Sequence, residues 1–377
     1  MFRLELLPAQ YGDAIWIEYG AGRKVSRVLV DGGTEASFPA LRERILALPA
    51  NQRHFELLVV THVDADHIGG TVELLREREA LGVSFGEIWF NGYVHLSAGG
   101  VVPTRESPDI LGPEQGEQLT ELIVGADPRK WNAVVGGGAL VVPPTGPLQP
   151  LVRLPGGMQL TLLSPGQEQL DRLKPVWDSA CRKAGITPGA ATAADSERLG
   201  EVGTRGEESD LLGDPDVVQL ASAPFVPDRA RPNGSSIALL AEYGGRRVLL
   251  GADAYAAVLG ASLARLPEAA GGRIAVDAVK LAHHGSSGNT SSELVRALKC
   301  RNWLVSTSGQ QFGHPDQEAI ARLIRDGGSG VGLVFNYRSE FNEVWASAGL
   351  RRKYGYTASY PAAGTAGVGF DVGRAKR

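Results

Sequence analysis

Cysteine is scarce in this sequence: among 377 residues there are Cys181 and Cys300 and no others. Two thiols so far apart make neither a disulfide framework nor a cysteine-ligated zinc site, and their scarcity fits a reducing compartment. Long apolar runs are missing too. No stretch approaches the roughly 18 uninterrupted apolar residues of a membrane span. The opening Met1-Phe2-Arg3-Leu4-Glu5-Leu6-Leu7 alternates like a strand and lacks the apolar core of a signal peptide. The expectation is a soluble cytoplasmic protein with no membrane partner. There is no surplus of positive charge. The formal net charge is −4, which argues against a generally basic nucleic-acid binder and leaves room only for a local basic patch. No aromatic platform for stacking single strands stands out, and no repeat of solenoid period is visible. What is present is 43% hydrophobic residues over this length, enough for a large core in one elaborated domain or two or three small ones.

Against that background one segment concentrates chemistry. Glu56 to Thr61 is a short apolar, β-branched run that reads as a buried strand. It ends in His62, Asp64, Asp66 and His67, followed by Gly69-Gly70 and then by helical spacing from Thr71 to Glu77. The cluster therefore lies on a strand-to-helix loop, with the helix N-terminus pointing at it. Two carboxylates crowded on one tight loop repel each other unless something positive lies between them. A divalent cation supplies that charge. Imidazole with carboxylate suits zinc, manganese or iron better than calcium. The glycines serve as backbone punctuation where close approach is needed.

The segment resembles the H-x-H-x-D-H signature of the metallo-β-lactamase superfamily, standing here as His62-x-Asp64-x-Asp66-His67. Asp64 replaces the second histidine, which is similar to the branch of ComEC-type DNA-uptake hydrolase domains. The resemblance implies an α/β (α+β) fold, a four-layer αββα sandwich of two mixed sheets. It implies a hydrolase domain over 1–350 with an inserted, partly flexible region at about 99–230, leaving a tail at 351–377 with no assigned structure.

Further segments extend the resemblance. Strands at Met1–Leu7 and Ala14–Tyr19 flank a turn containing Gly12-Asp13, and a third strand ends in Asp31-Gly32-Gly33. In the superfamily such an Asp-Gly pair supports the metal loop from beneath, so Asp31 is either that support or an ordinary turn aspartate. Helices are expected at Phe38–Leu48, Glu114–Val124 and Glu168–Ala184, and a strand pair at Leu151–Leu163. Gly185–Asp216, poor in large apolar side chains, reads as a mobile loop or linker. Two strands around Gly244-Gly245 end in Asp253, at the place of the superfamily's bridging aspartate. Asn233 just upstream is a weak ligand, a substrate contact or simply a turn residue. A further strand, Asp277–Leu281, runs into His283-His284-Gly285-Ser286. Neighbours on a strand face opposite sides, so the two are not expected to ligate one metal; the resemblance implies His284, before the glycine, as the last ligand, and His283 then faces the substrate or a residue supporting the site. The other histidines are less committed. His95 and His54 are weak alternatives for the first site, and His314, before Pro315, is either a general acid or phosphate contact or a surface histidine at a helix start. The helix after it is expected over Gln317–Ile324, and Val331–Tyr337 with Phe341–Trp345 as a final hairpin-like pair.

The resemblance implies two-metal hydrolysis, with two divalent ions, zinc or manganese. His62 and Asp64 would hold one and Asp66, His67 and His284 the other, with Asp253 bridging. The ions lower the pKa of a shared water and give a bridging hydroxide as nucleophile. Asp66, His283 and His314 are the catalytic candidates, the two histidines as proton donors to the leaving group. Lys280, Ser286 and Asn233 are candidate ligand or substrate contacts. A phosphodiesterase or nuclease acting on nucleic acid or nucleotide is the leading reading. A hydrolase of a lactone, thioester or β-lactam-like bond is the alternative, and a non-catalytic binding module a third. The cations available to a phosphodiester include Arg246, Arg247, Lys280, Arg351, Arg352 and Lys353. Protein partners are not indicated.

Overall fold

The computed structural model describes residues 1–22, 24–96, 112–189 and 214–373. Most of the 185–216 stretch therefore lies outside the described residues, as does part of the 99–230 region. No described helix is long and apolar enough to cross a membrane.

Two mixed sheets carry the chain. The first is built from β1 (Phe2–Leu6), β2 (Ile15–Tyr19), β3 (Ser26–Val30), β4 (His54–Val59) and β5 (Ser84–Trp89) in sequence order, with β16 (Val368–Asp371) added beside β1. The strands from β16 to β3 run antiparallel, while β3, β4 and β5 run parallel. The second sheet has the order β15-β14-β13-β11-β9-β8-β7-β6. Its members are β6 (Val152–Arg153), β7 (Gln159–Ser164), β8 (Ala238–Tyr243), β9 (Arg246–Leu250), β11 (Ala278–Lys280), β13 (Asn302–Val305), β14 (Gly332–Phe335) and β15 (Thr357–Ser359). Here β6 to β9 form an antiparallel meander, and β9, β11, β13, β14 and β15 are parallel. A minor parallel pair joins β10 (Ile274–Ala275) to β12 (Leu298–Lys299).

Period-2 alternation divides the side chains of the first sheet. Ile15, Ile17, Tyr19, Val28 and Val30 join the core shared with the second sheet. Trp16 and Leu29 point the other way, into a core with the helices α1 (Phe38–Leu46), α2 (Ala65–Leu81), α3 (Gly112–Ala126) and α4 (Gln167–Lys183). Trp177 of α4 is fully buried there. The second sheet is backed by helices that include α5 (Val217–Ala221), α7 (Ala256–Leu263), α8 (Ser292–Ala297) and α9 (Gln317–Asp326), while the short α6 (Arg231–Gly234) leads into β8. The amphipathic α9 buries Ile320, Leu323 and Ile324. Helix, sheet, sheet, helix is the layer order that the sequence resemblance implied.

Three sequence expectations change here. Phe341–Trp345 is not a strand: Glu340–Glu343 is α10, followed by a 3₁₀ turn over Val344–Ala346. The Ser339 N–H donates to Asn342 Oδ1 (3.1 Å), a local helix start that a hairpin cannot use, and β14 pairs in parallel with both neighbours. The tail is placed: it holds most of α11 (Ala348–Tyr354) and then an edge strand for each sheet, β15 and β16. Finally, β7 lies inside the second sheet, so the later part of the 99–230 region belongs to the sandwich framework.

Candidate metal centre

The parallel strands of both sheets end at one edge of the sandwich, and loops leaving those ends supply the site. Asp31 follows β3, His62 to His67 follow β4, Asp253 follows β9, His283 and His284 follow β11, and Ser306 follows β13. The chain turns sharply at these ends. Of the six described non-glycine residues with positive φ, five lie on these segments or beside them: Gln10, Asp31, Ala252, His283 and His284. Left-handed backbone costs a non-glycine residue roughly 1–2 kcal/mol, so strain is concentrated where the chemistry would be.

His283 and His284 are both left-handed (φ 48° and 55°) and do not continue β11. The expectation that strand alternation separates them is therefore corrected, because the chain has already left the sheet. Both rings reach Asp253, with His283 Nε2 3.7 Å and His284 Nε2 3.8 Å from its Oδ2. His62 Nε2 lies 3.9 Å from the same oxygen, and His67 Nε2 3.4 Å from Oδ1. Asp64 approaches His62 at 3.5 Å. Asp66, in the first turn of α2, lies 3.2 Å from His284 Nε2 and 3.8 Å from His67 Nε2. The positive end of the α2 dipole faces these carboxylates.

Hydrogen bonds behind the rings fix their tautomers. His67 Nδ1 meets Asp31 Oδ2 at 2.9 Å, and His284 Nδ1 meets the Ser306 carbonyl at 2.8 Å. Both partners only accept, so each Nδ1 carries the proton. Thr61 Oγ1 gives its one proton to Asp31 Oδ2 and so accepts from His62 Nδ1 (3.0 Å). Asn289 Oδ1 accepts from His283 Nδ1 (3.0 Å), its amide being turned by the bonds Nδ2 makes to the Asp253 and Ala254 carbonyls. In the neutral rings, four bare Nε2 lone pairs thus surround Asp253. Those of His67 and His284 face each other at 3.2 Å, a repulsive contact unless a proton or cation lies between them.

The donor set fits divalent metal. His62 Nε2, Asp253 Oδ1, Asp13 Oδ1 and Asn233 Oδ1 are buried without a hydrogen-bond partner, and three of these belong to the close His/Asp groups. Asp13, His67 and His284 form one such group and His62, His67 and Asp253 the other. The ionisation equilibria carry the same imprint. Burial opposes a charged ring at His67, yet the carboxylates of Asp253, Asp66 and Asp31 hold its pKa well above the ordinary imidazole value. Burial likewise opposes charge at His284, and Asp253 and Asp13 push it up to about 9. Asp253 is held well below the usual carboxylate range, the imidazoles of His67, His284 and His283 outweighing its burial. A site this anionic attracts either protons or a cation.

The remaining candidates divide. Asp31 is fully buried and, besides His67, accepts the Thr61 backbone N–H at 2.8 Å, which puts it directly under the loop. Asn233, in α6, gives Nδ2 to Asp228 Oδ2 (2.8 Å) and leaves Oδ1 bare beside the site. Ser286 is buried in the turn after the histidine pair and receives the Gly288 N–H. His314 is no surface residue: its ring packs against His283 (centroids 5.1 Å), and its Nδ1 meets Asp316 Oδ1 at 2.8 Å. Lys280 is corrected. It is completely buried and ion-paired with Asp13, so it touches no substrate. Arg246 and Arg247 are also engaged, with Asp277 and with Glu242 and Glu268, at the opposite end of β9. His95 accepts the Gly92 N–H, meets the Gly137 carbonyl and packs on Trp131, and His54 begins β4 at the far end of the strand. Neither joins the centre.

Sequence reasoning missed Asp13, Asp228 and Asn289. Asp13 looked like half of a Gly-Asp turn; only its pairing with Lys280 and its 3.6 Å approach to His284 Nδ1 give it a role. Asp228 lies 3.5 Å from His283 Nδ1, and nothing in the local sequence marks it.

Residues 9–147 match the family profile described as the metallo-beta-lactamase superfamily. That segment is similar to a metallo-beta-lactamase superfamily domain. A curated relative, ComE operon protein 3 of Bacillus subtilis (strain 168), is 28% identical over 120 residues, 32% of this chain. The match spans only 15% of that relative's length. Among solved structures, a mutant of the CmlA beta-hydroxylase is similar at 14% identity and a TM-score of 0.38, over 97% of this chain and 53% of its own. Zn(2+)-bound PqqB from Methylobacterium extorquens is similar at 13% identity and a TM-score of 0.40, over 98% of this chain and all of its own.

Proposed function

We propose that this chain is a cytoplasmic, binuclear metal-dependent hydrolase that cleaves phosphodiesters, with a nucleic acid or nucleotide as substrate and zinc or manganese as the ions. The observation that carries the reading is the ring of four bare Nε2 atoms about Asp253, each held by an acceptor behind its own Nδ1. His62, Asp64 and Asp253 would hold one ion; Asp66, His67, His284 and Asp253 the other. Two divalent ions held there lower the pKa of water toward neutrality and polarise the scissile bond.

The chain's own groups do the rest. Asp31 and Ser306 fix the metal-facing rings, which sets ligand direction before any ion arrives. His283 and His314 stand side by side, one oriented by Asn289 and the other by Asp316, where either ring, once protonated on Nε2, can pass that proton to a leaving oxygen. Asn233 Oδ1 and the Asp64 carboxylate make the set rich in oxygen, which suits a harder ion such as manganese. The resemblance to ComEC-type DNA-uptake domains, carried by Asp64 in place of the second histidine, favours the phosphodiester over other bonds.

Elemental analysis of the purified protein, followed by incubation with plasmid DNA, RNA, bis(p-nitrophenyl) phosphate, a lactone and a β-lactam, tests this. The expected result is bound zinc or manganese and phosphodiester cleavage that chelator and Asp66→Ala both abolish. Turnover of the lactone or β-lactam alone would replace the reading, and bound metal without turnover of any substrate would leave a binding module.

A further inference from the structure

We infer that Phe312, with Tyr11 beside it, forms a shelf at the mouth of the metal centre on which a nucleobase of the substrate stacks. The inference deepens the phosphodiesterase reading and rests on it. Phe312 is 53% exposed, and every other large hydrophobic side chain exposed among the described residues is non-aromatic. Its surroundings hold it in place. Gly309 and Gly313 take positive φ, the Gly313 N–H closes on the Gly309 carbonyl (2.8 Å), and Phe341 packs underneath so closely that a Cβ at Gly309 would collide with its ring.

Tyr11 is presented by a second pinned segment. Gln10, itself at φ 58°, receives the Ser308 N–H on its carbonyl (2.8 Å) and gives its own N–H to Tyr337 Oη (2.8 Å). Tyr11 meets Phe312 edge-on, with centroids 5.8 Å apart and planes at 88°. On its other side Phe312 lies 6.2 Å from the His314 ring at 32°. The two loops flank the centre. Just past Tyr11, the Asp13 N–H bonds the Asp66 carbonyl, while His314 contacts His283. Phe312 thus stands beside the centre, linked to His283 through the His314 ring.

Lys280, Arg246 and Arg247 are committed to carboxylates elsewhere, so they cannot hold a polyanion at this mouth. Stacking on an aromatic face binds any base without added charge, and its loss on truncation to alanine is worth about 5- to 150-fold in affinity. No segment near Phe312 alternates aromatic and basic residues, which is why the sequence did not reveal a platform.

The test compares thymidine 5′-p-nitrophenyl phosphate with methyl p-nitrophenyl phosphate, which offers no base. Phe312→Ala is expected to raise KM for the nucleoside ester about 5- to 150-fold and to cost the methyl ester much less, with Phe312→Trp restoring the difference. Quenching of 2-aminopurine fluorescence in a short single strand gives a second readout that needs no turnover. It is expected for the wild-type chain and to weaken in Phe312→Ala and Tyr11→Ala. Equal losses on both esters, or quenching indifferent to Phe312, would overturn the shelf. If neither ester is cleaved but Phe312-dependent quenching persists, the phosphodiesterase reading falls and the shelf is overturned as a substrate site, leaving a base-binding surface.

Discussion

Lys280 is a cation that burial has taken out of circulation. It lies on β11 of the second sheet and pairs with Asp13 from the first, so the bond crosses the sandwich directly beneath His284. Burial raises the Asp13 pKa, but Lys280 and then His284 outweigh it and keep the carboxyl below its usual range. Removing one member of such a pair strands the other charge. Lys280→Met is expected to cost about 3–5 kcal/mol in chemical denaturation, and adding Asp13→Asn to recover part of that. An equal or larger loss in the double variant would assign the effect to packing. Asp316 gives a pH signature at the same scale. Burial opposes its ionisation, but His314 and the Ser287 N–H hold its pKa down at about 2. A depressed folded-state pKa stabilises the fold above the unfolded value near 3.8, and that stability is lost as pH falls toward about 2. Asp316→Asn should therefore be less stable than wild type at neutral pH, by on the order of 1–2 kcal/mol, with the gap closing in acid. A gap that persists at pH 2 would rule out the charge as its source.

At the scale of elements, α2 carries much of the site. Its first turn holds Asp66 and His67, and it enters so close to the loop after β3 that side chains are excluded. A Cβ on Gly69 would stand 2.6 Å from the Glu35 nitrogen, and one on Gly70 would collide with the Gly32 carbonyl. The Gly70 N–H also donates to the Gly33 carbonyl (2.9 Å). Gly70→Ala is thus expected to push α2 outward, costing roughly 1–3 kcal/mol of overpacking and weakening metal affinity through His67. Titration with zinc while monitoring unfolding checks both; an unchanged affinity would mean that α2 moves without its first turn. The sequence showed this element clearly, because a strand, four ligand-type residues and two glycines are contiguous. It showed the segment after β11 poorly. Strand alternation was a sound rule applied beyond the end of its strand, since β11 stops at Lys280 and the chain enters left-handed backbone at His283.

For the whole molecule, the centre is a clasp. His62, Asp64, Asp66 and His67 come from the first sheet, and Asp253, His283 and His284 from the second. Metal binding should therefore stabilise the sandwich itself and not only a loop. Chelation is expected to lower the unfolding temperature of the wild type by several degrees, about 4 °C or less per kcal/mol at this size, while Asp253→Asn responds much less. Equal sensitivity of the two would mean that the ions do not join the halves.

The sequence by itself determined what is contiguous: the strand–ligand–glycine run at 56–70, the helices with 3.6-residue apolar spacing, the strand ends at Asp31 and Asp253, and the adjacent histidines before Gly285. These depend on neighbours a few residues apart, which periodicity and turn chemistry report. Tertiary structure alone decided which nitrogen of each histidine stays bare, that Lys280 is spent on Asp13, that Asp228 and Asn289 orient His283, and that Phe312 stands beside Tyr11. Most of these join segments tens to hundreds of residues apart, and even Asn289, six residues from His283, is turned toward it by the distant Asp253 and Ala254 carbonyls; such bonds exist only once packing has brought the two sheets together.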